Sequence, residues 1–399
     1  MVRDGPRREE AEAPVTAKER VAAVLDGQVP DRVPYAEFAV DFDTVEKIIG
    51  HETYLRAKAK SQIAFWEGRA DEVAESWRKD HIELHRKLEL DIVTFPAATW
   101  EIPPETGEPP PRRVDASTWE DRLGRVWKLS DITQDITCVR DPVRDAHVYT
   151  AAEFDREPEP PRRDERSWRI LDAVIREFKR EKFICGPSGG SIGILLLGGM
   201  ERGLLEIADN PEAVRAATAL LVREQNLADE DIIHPDSDAV LWAEDLGYGK
   251  GPLIAPAAFR RLFLEANKAR ARNVKGRFGK KILKHCCGNV KALLDDFVEI
   301  GYDAYQSIQP TAGMDLCALK KSHGNRITLW GGVAVEHLVG GTPDDARRDV
   351  RRAMACAKPG GRFILGSSHS VAVGTRYDNY LAMLDEYRKL CQYEAAAGT

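Results

Sequence analysis

Long apolar runs are missing from this 399-residue chain. The longest, Ile192 to Met200, is broken by Gly193, Gly198 and Gly199, far short of the roughly 18 apolar residues that a membrane-spanning helix needs. A positive excess is missing too: 58 Lys and Arg stand against 65 Asp and Glu, for a net charge of −7. That leaves no electrostatic footprint for nucleic acid or an anionic membrane surface. Cysteine is sparse and odd in number, seven residues at 138, 185, 286, 287, 317, 356 and 391. Residues 1–15 are charged and polar, carry no apolar core for a secretory signal, and read as a disordered tail. Scattered thiols behind such a tail predict a reduced, cytoplasmic protein and not a disulfide framework.

From about residue 180 onward, short apolar strands alternate with longer amphipathic helices. Strands are expected at Lys182–Cys185, Ala239–Ala243, Lys281–Cys287, Ala304–Ile308, Ile327–Trp330 and Arg362–Leu365. The helices between them are well punctuated. Asn210-Pro211 supplies a cap and a first-turn proline before Glu212–Asn226, and Pro256 opens Ala257–Arg272. Val290–Ile300 ends at Gly301, a left-handed cap. Thr342-Pro343-Asp344-Asp345 joins a threonine cap to two acids against the helix dipole, and Pro359-Gly360-Gly361 stops that helix.

Such alternation calls for a parallel sheet with crossover helices, either open and doubly wound or closed as an eight-stranded barrel. A barrel takes roughly 250 residues, so an insertion is needed. Residues 99–163 supply it, with prolines at 103, 104, 109, 110, 111, 142, 158, 160 and 161. Within them Gly124–Leu129 alternates like a hairpin strand. The expectation is a β-rich excursion that could lid the barrel mouth.

His285-Cys286-Cys287-Gly288 closes the strand 281–287. Side chains alternate along a strand, so His285 and Cys287 face one way and Cys286 the other. An imidazole and a thiolate side by side at a strand tip are two ligands for a borderline-soft ion, zinc first among them. The plainer alternative is a buried histidine beside two packed thiols. Glu244 and Asp245 follow strand 239–243, where alternation admits only one of them to a site, as general base or fourth ligand; capping the next loop is the alternative. Tyr248 either donates its hydroxyl to substrate or is a half-buried tyrosine. Cys317 reads as a core thiol. Gly186–Ser191 is glycine-rich but lacks the P-loop lysine and the dinucleotide spacing, and instead allows a ligand or lid close approach to backbone.

Taken together, several stretches resemble the uroporphyrinogen decarboxylase superfamily, which includes the zinc-dependent cobamide methyltransferases. They are Thr16–Val21 with Pro30–Pro34, Asp245–Tyr248 with Gly251–Pro256, His285–Asn289, Gln309–Asp315 and Trp330–Val333. The resemblance spans about residues 16 to 390, and a single barrel over 16–395 follows from it. It implies a TIM-type (β/α)8 barrel with its chemistry at the C-terminal strand ends.

Two departures qualify the likeness. The porphyrin decarboxylases carry an Arg-Gln-Ala-Gly-Arg motif near the N-terminus, whereas Tyr35–Asp41 here has acids and no arginine. A substrate of eight carboxylates would meet repulsion there. At the last strand the zinc methyltransferases place a cysteine near Gly366–His369, and this chain has His369, spaced from Thr375 like the decarboxylase Gly-His-Gly motif.

The resemblance therefore implies a zinc site of His285 and Cys287. His369 is a third ligand, a general acid or a donor to a substrate carboxylate. Glu37 and Asp41, near the end of the first strand, suit a metal or a cationic or phenolic substrate, or else face solvent. The implied reaction moves a methyl group between a small thiol or methoxylated compound and a methylcobamide on a separate corrinoid protein. The rival is a metal-independent decarboxylase-like lyase in which His369 and Asp245 manage the proton. A retired barrel with a filled pocket is the third reading. An exposed barrel face also suits a homodimer.

Overall fold

The computed structural model describes residues 14–159 and 162–393; the tail expected at 1–15 lies almost wholly outside them. Seven parallel strands form one curled sheet in chain order: β1 (Ile92–Thr94), β2 (Phe183–Gly186), β3 (Ala239–Ala243), β4 (Lys281–His285), β5 (Ala304–Gln306), β6 (Thr328–Val333) and β7 (Phe363–Ser367). They are almost wholly buried, as strands covered on both faces must be. Six lie within a few residues of their expected positions; β1 was not expected.

An eighth strand is reduced to a bridge. Tyr35 pairs with Leu365 of β7, and the carbonyl of Tyr35 accepts from Asp91 N at 2.8 Å, just before β1. Residues 33–36 therefore span the gap between the two sheet edges. They form no ladder because Pro34 has no N–H and the N–H of Tyr35 donates to the Asp91 side chain at 2.8 Å.

Helices cover the sheet, and no helix of the described residues is long and apolar enough to cross a membrane. The Thr342 cap forms as expected: its hydroxyl accepts from Asp345 N at 3.3 Å, and Asp345 accepts from Thr342 N at 2.9 Å. A Thr342→Ala exchange should lower stability by about 1 kcal/mol, read as a shift in the denaturation midpoint. Gly301 closes its helix at φ 96°. At Asn210 the expectation fails, because its amide is drawn off to Tyr149 O at 2.9 Å and Glu206 at 3.1 Å and caps nothing.

Cysteine chemistry also differs. Cys317 and Cys356 are joined as a disulfide, with their Cα atoms 5.3 Å apart. The helices Leu316–His323 and Pro343–Ala357 bring them together, a packing that residue spacing does not disclose. Cys317 is therefore not a free core thiol; the other five cysteines are free.

Between residues 99 and 163 lies a four-stranded antiparallel sheet of Arg112–Arg113, Thr118–Glu120, Val126–Ser130 and Asp135–Arg140. Trp119 and Ile136 pack on Ala59, fastening the sheet to helix Lys58–Trp66. The turn after Val126–Ser130 carries Ile132 and Thr133 to the wall of the central cavity.

Candidate active site and metal-ligand cluster

A cavity of about 830 Å³ opens at the C-terminal ends of the strands. Residues just past β3 (Glu244, Asp245), at the tip of β4 (His285) and beyond β7 (His369) converge on it, with Phe38 and Asp41 from the chain that follows the bridging segment. It is open and not plugged by large side chains, which removes the feature that would favour a retired barrel.

His285 is buried, with its ring stacked on Phe38 at 3.8 Å between centroids and 11° between planes. Its Nδ1 meets the amide oxygen of Gln306, its partner in the β4–β5 register. An amide oxygen only accepts, so this contact puts the proton on Nδ1 and leaves Nε2 with the lone pair. Burial, helped by the neighbouring His369, pushes the imidazole down to about 3, so it is neutral at any ordinary pH. The His369 ring lies edge-on to it at 5.5 Å and is likewise lowered, mainly by burial.

Cys287 donates its thiol hydrogen to Asp245 Oδ1 at 2.8 Å. Burial and that carboxylate hold the thiol far above its usual range. Cys286 turns the other way into the core, where its sulfur accepts from Leu246 N at 3.3 Å. Gly288 lets the chain turn away: φ is 76°, and a Cβ there would meet the Gly247 carbonyl carbon at 2.6 Å. The result is a cluster in which ligand atoms of His285, Cys287 and His369 all lie within 4.8 Å of one another.

Other expected site residues fall differently. Both Glu244 and Asp245 reach the cavity wall, not one of them, because β3 ends at Ala243 and its alternation ends with it. Glu244 is ion-paired with Lys284, a fully buried lysine that burial pushes down to about 8. Tyr248 is half exposed on a two-stranded ribbon and is not part of the wall.

Asp41 does line the cavity, paired with Arg56 at 2.7 Å. Glu37 does not. Its carboxylate accepts from Ser367 N at 3.0 Å, from the Ser367 hydroxyl and from Tyr35 OH at 3.0 Å. It faces a separate space of about 20 Å³ shared with His81 and His85. The Gly186–Ser191 loop is held by the protein itself: Gly189 N donates to Asp229 at 2.9 Å, and Arg270 donates to Gly190 O at 2.9 Å. No residue of the loop lines the cavity.

Three residues were missed. Arg56, from the connection before helix Lys58–Trp66, and Lys58, the first residue of that helix, put two cations on the wall. Gln306 ties the site together, because its amide nitrogen donates to the carbonyls of Ser367 at 3.2 Å and His369 at 3.5 Å. Only its place at the end of a strand could have marked it.

Residues 135–390 match the model of the uroporphyrinogen decarboxylase (URO-D) family. A methyltransferase from Methanosarcina mazei is similar in structure, with a TM-score of 0.58 and 16% identity over 94% of this chain and 99% of that one. At that identity the likeness speaks for the fold alone. A search of curated proteins finds no sequence match.

Proposed function

Because the chain belongs to the uroporphyrinogen decarboxylase family, we propose that it is a zinc-dependent methyltransferase, moving a methyl group between a small thiol or methoxylated substrate and a corrinoid protein. The observation that carries this reading is the gathering of His285, Cys287 and His369 within 4.8 Å at the end of an open cavity. A methyltransferase shares this fold, so the architecture can house such chemistry.

The donor set fits zinc. Two nitrogens and one sulfur leave a fourth position for substrate, the pattern of catalytic rather than structural sites. His285 is preset as a ligand, neutral and with Nε2 free, and Gln306 is the outer partner that fixes its tautomer. Cys287 must lose a proton to ligate, and Asp245 is in place to take it. A bound zinc ion would supply Lewis acidity, which favours a thiolate at neutral pH or makes an ether oxygen a better leaving group.

The chain's own side chains do the rest. Phe38, Val335, Val339 and Val373 give the wall apolar surface that limits water around the reacting group. Glu244 stands at the wall beside Lys284, within reach of a proton that the substrate sheds. The open mouth leaves room for a partner protein to present the corrinoid.

Arg56 and Lys58 on the same wall favour a second reading, a decarboxylase-like lyase that binds a small substrate carboxylate. Zinc separates the two. Elemental analysis of protein purified without added metal should find near one zinc per chain. Chelation should abolish methylation of free cob(I)alamin by a thioether or methoxylated donor, and zinc should restore it. Protein without metal that shows no methyl transfer on adding zinc would move the lyase to first place.

A further inference from the structure

A second groove of about 470 Å³ adjoins the central cavity. It lies between helices Lys58–Trp66 and Ala70–Lys87 on one side and strand Asp135–Arg140 on the other, and it shares two wall residues, Lys58 and Ala97, with the central space. Phe65, Trp77 and Ile136 give it apolar surface, with the Phe65 and Trp77 rings edge to face at 5.8 Å, and Glu101 lines it as well. Lys58, which lines both spaces, is ion-paired through Nζ with Asp135 Oδ2 of the groove at 3.0 Å.

That pair is a weak one. Both side chains are about a third exposed, 29% and 34%, and pairs so placed contribute little to stability. Lys58 is also the first residue of its helix, where the dipole already favours an anion over a cation. An incoming anion can therefore replace Asp135 at small cost. A small thiol or ether would fill only part of the 830 Å³ space and leave the groove empty.

We propose that the groove is a second substrate subsite, holding the apolar end of an amphipathic anion whose charged group lies on Lys58 and whose other end reaches the His285–His369 wall. This rests on the preceding reading only in taking the central cavity as the place where substrate reacts. The groove supplies apolar contact and Lys58 supplies charge, so the ligand class is defined by needing both.

Calorimetric titration of the full-length protein with 3-phenylpropionate, propionate and 3-phenylpropanol tests it, with chelator present so that the outcome does not depend on metal. The acid with the ring should bind about tenfold or more tightly than either the ringless acid or the uncharged alcohol. Lys58→Ala should erase the preference over the alcohol. Gln62→Trp, which fills the groove from a half-buried wall position, should erase the preference over propionate. Equal affinity for all three, no binding of 3-phenylpropionate, or preferences unmoved by both variants would overturn the proposal. The ligand series on the unaltered protein decides the matter even if a variant fails to fold.

Discussion

Exchanging Cys287 for serine is expected to weaken zinc binding about a hundredfold and to take methyl transfer down with it. Sites of four donors bind zinc with roughly 10–16 kcal/mol, so one donor carries on the order of 3 kcal/mol. The serine hydroxyl cannot replace a thiolate, because it does not ionise near neutral pH. Asp245 would then keep a hydrogen-bond partner but no longer serve a ligand. Competition with a chromophoric chelator reads the affinity directly. Cys286→Ser is the internal control: that sulfur faces the core and contacts Leu246 N, so zinc should be retained. Equal loss in both variants would mean that the neighbouring thiols act through folding, and the ligand assignment would fall.

The contrast between these neighbours was legible because strand alternation is a local rule. His285 and Cys287 on one side, Cys286 on the other, follow the period of two although β4 ends at His285, because Cys286 N still donates to Gln306 O at 2.7 Å and keeps the chain extended. The Thr342 cap was legible for the same reason, since its partner Asp345 is three residues away. What could not be read is what the fold brings from a distance. Arg56 reaches the cavity from a connection between two helices, at φ 61°, and pairs with Asp41 fifteen positions earlier. Gln306 acts on His285 across the β4–β5 register and on the β7 tip some sixty positions later. Cys317 and Cys356 meet through helix packing. The strand rule also fails where the strand stops: beyond Ala243 it no longer sorts Glu244 from Asp245, and both reach the wall.

Glu37 shows the same limit and carries the second large effect. Read as a substrate-facing acid, it is 2% exposed and turned to Ser367. Burial raises its carboxyl from 4.5 to about 7, against the pull of hydrogen bonds from Ser367 and Tyr35. The unfolded chain releases this proton near 4.5 while the folded protein keeps it to about 7, so between those values the folded state binds more protons. Stability then falls as pH rises through that window, by about 1.4 kcal/mol per unit and roughly 3 kcal/mol in all, and levels off above it. Glu37→Gln has no such proton to lose. Denaturant titrations at pH 5, 6, 7 and 8 should show the variant gaining on the parent protein by most of that amount up to pH 7, with little further change. Since Ser367 stands two residues before His369 at the end of β7, the same window marks where the strand tip changes from a carboxylic acid partner to a carboxylate. Parallel curves for the two proteins would mean that Glu37 ionises as readily folded as unfolded, and the Ser367 contacts would then hold a carboxylate throughout.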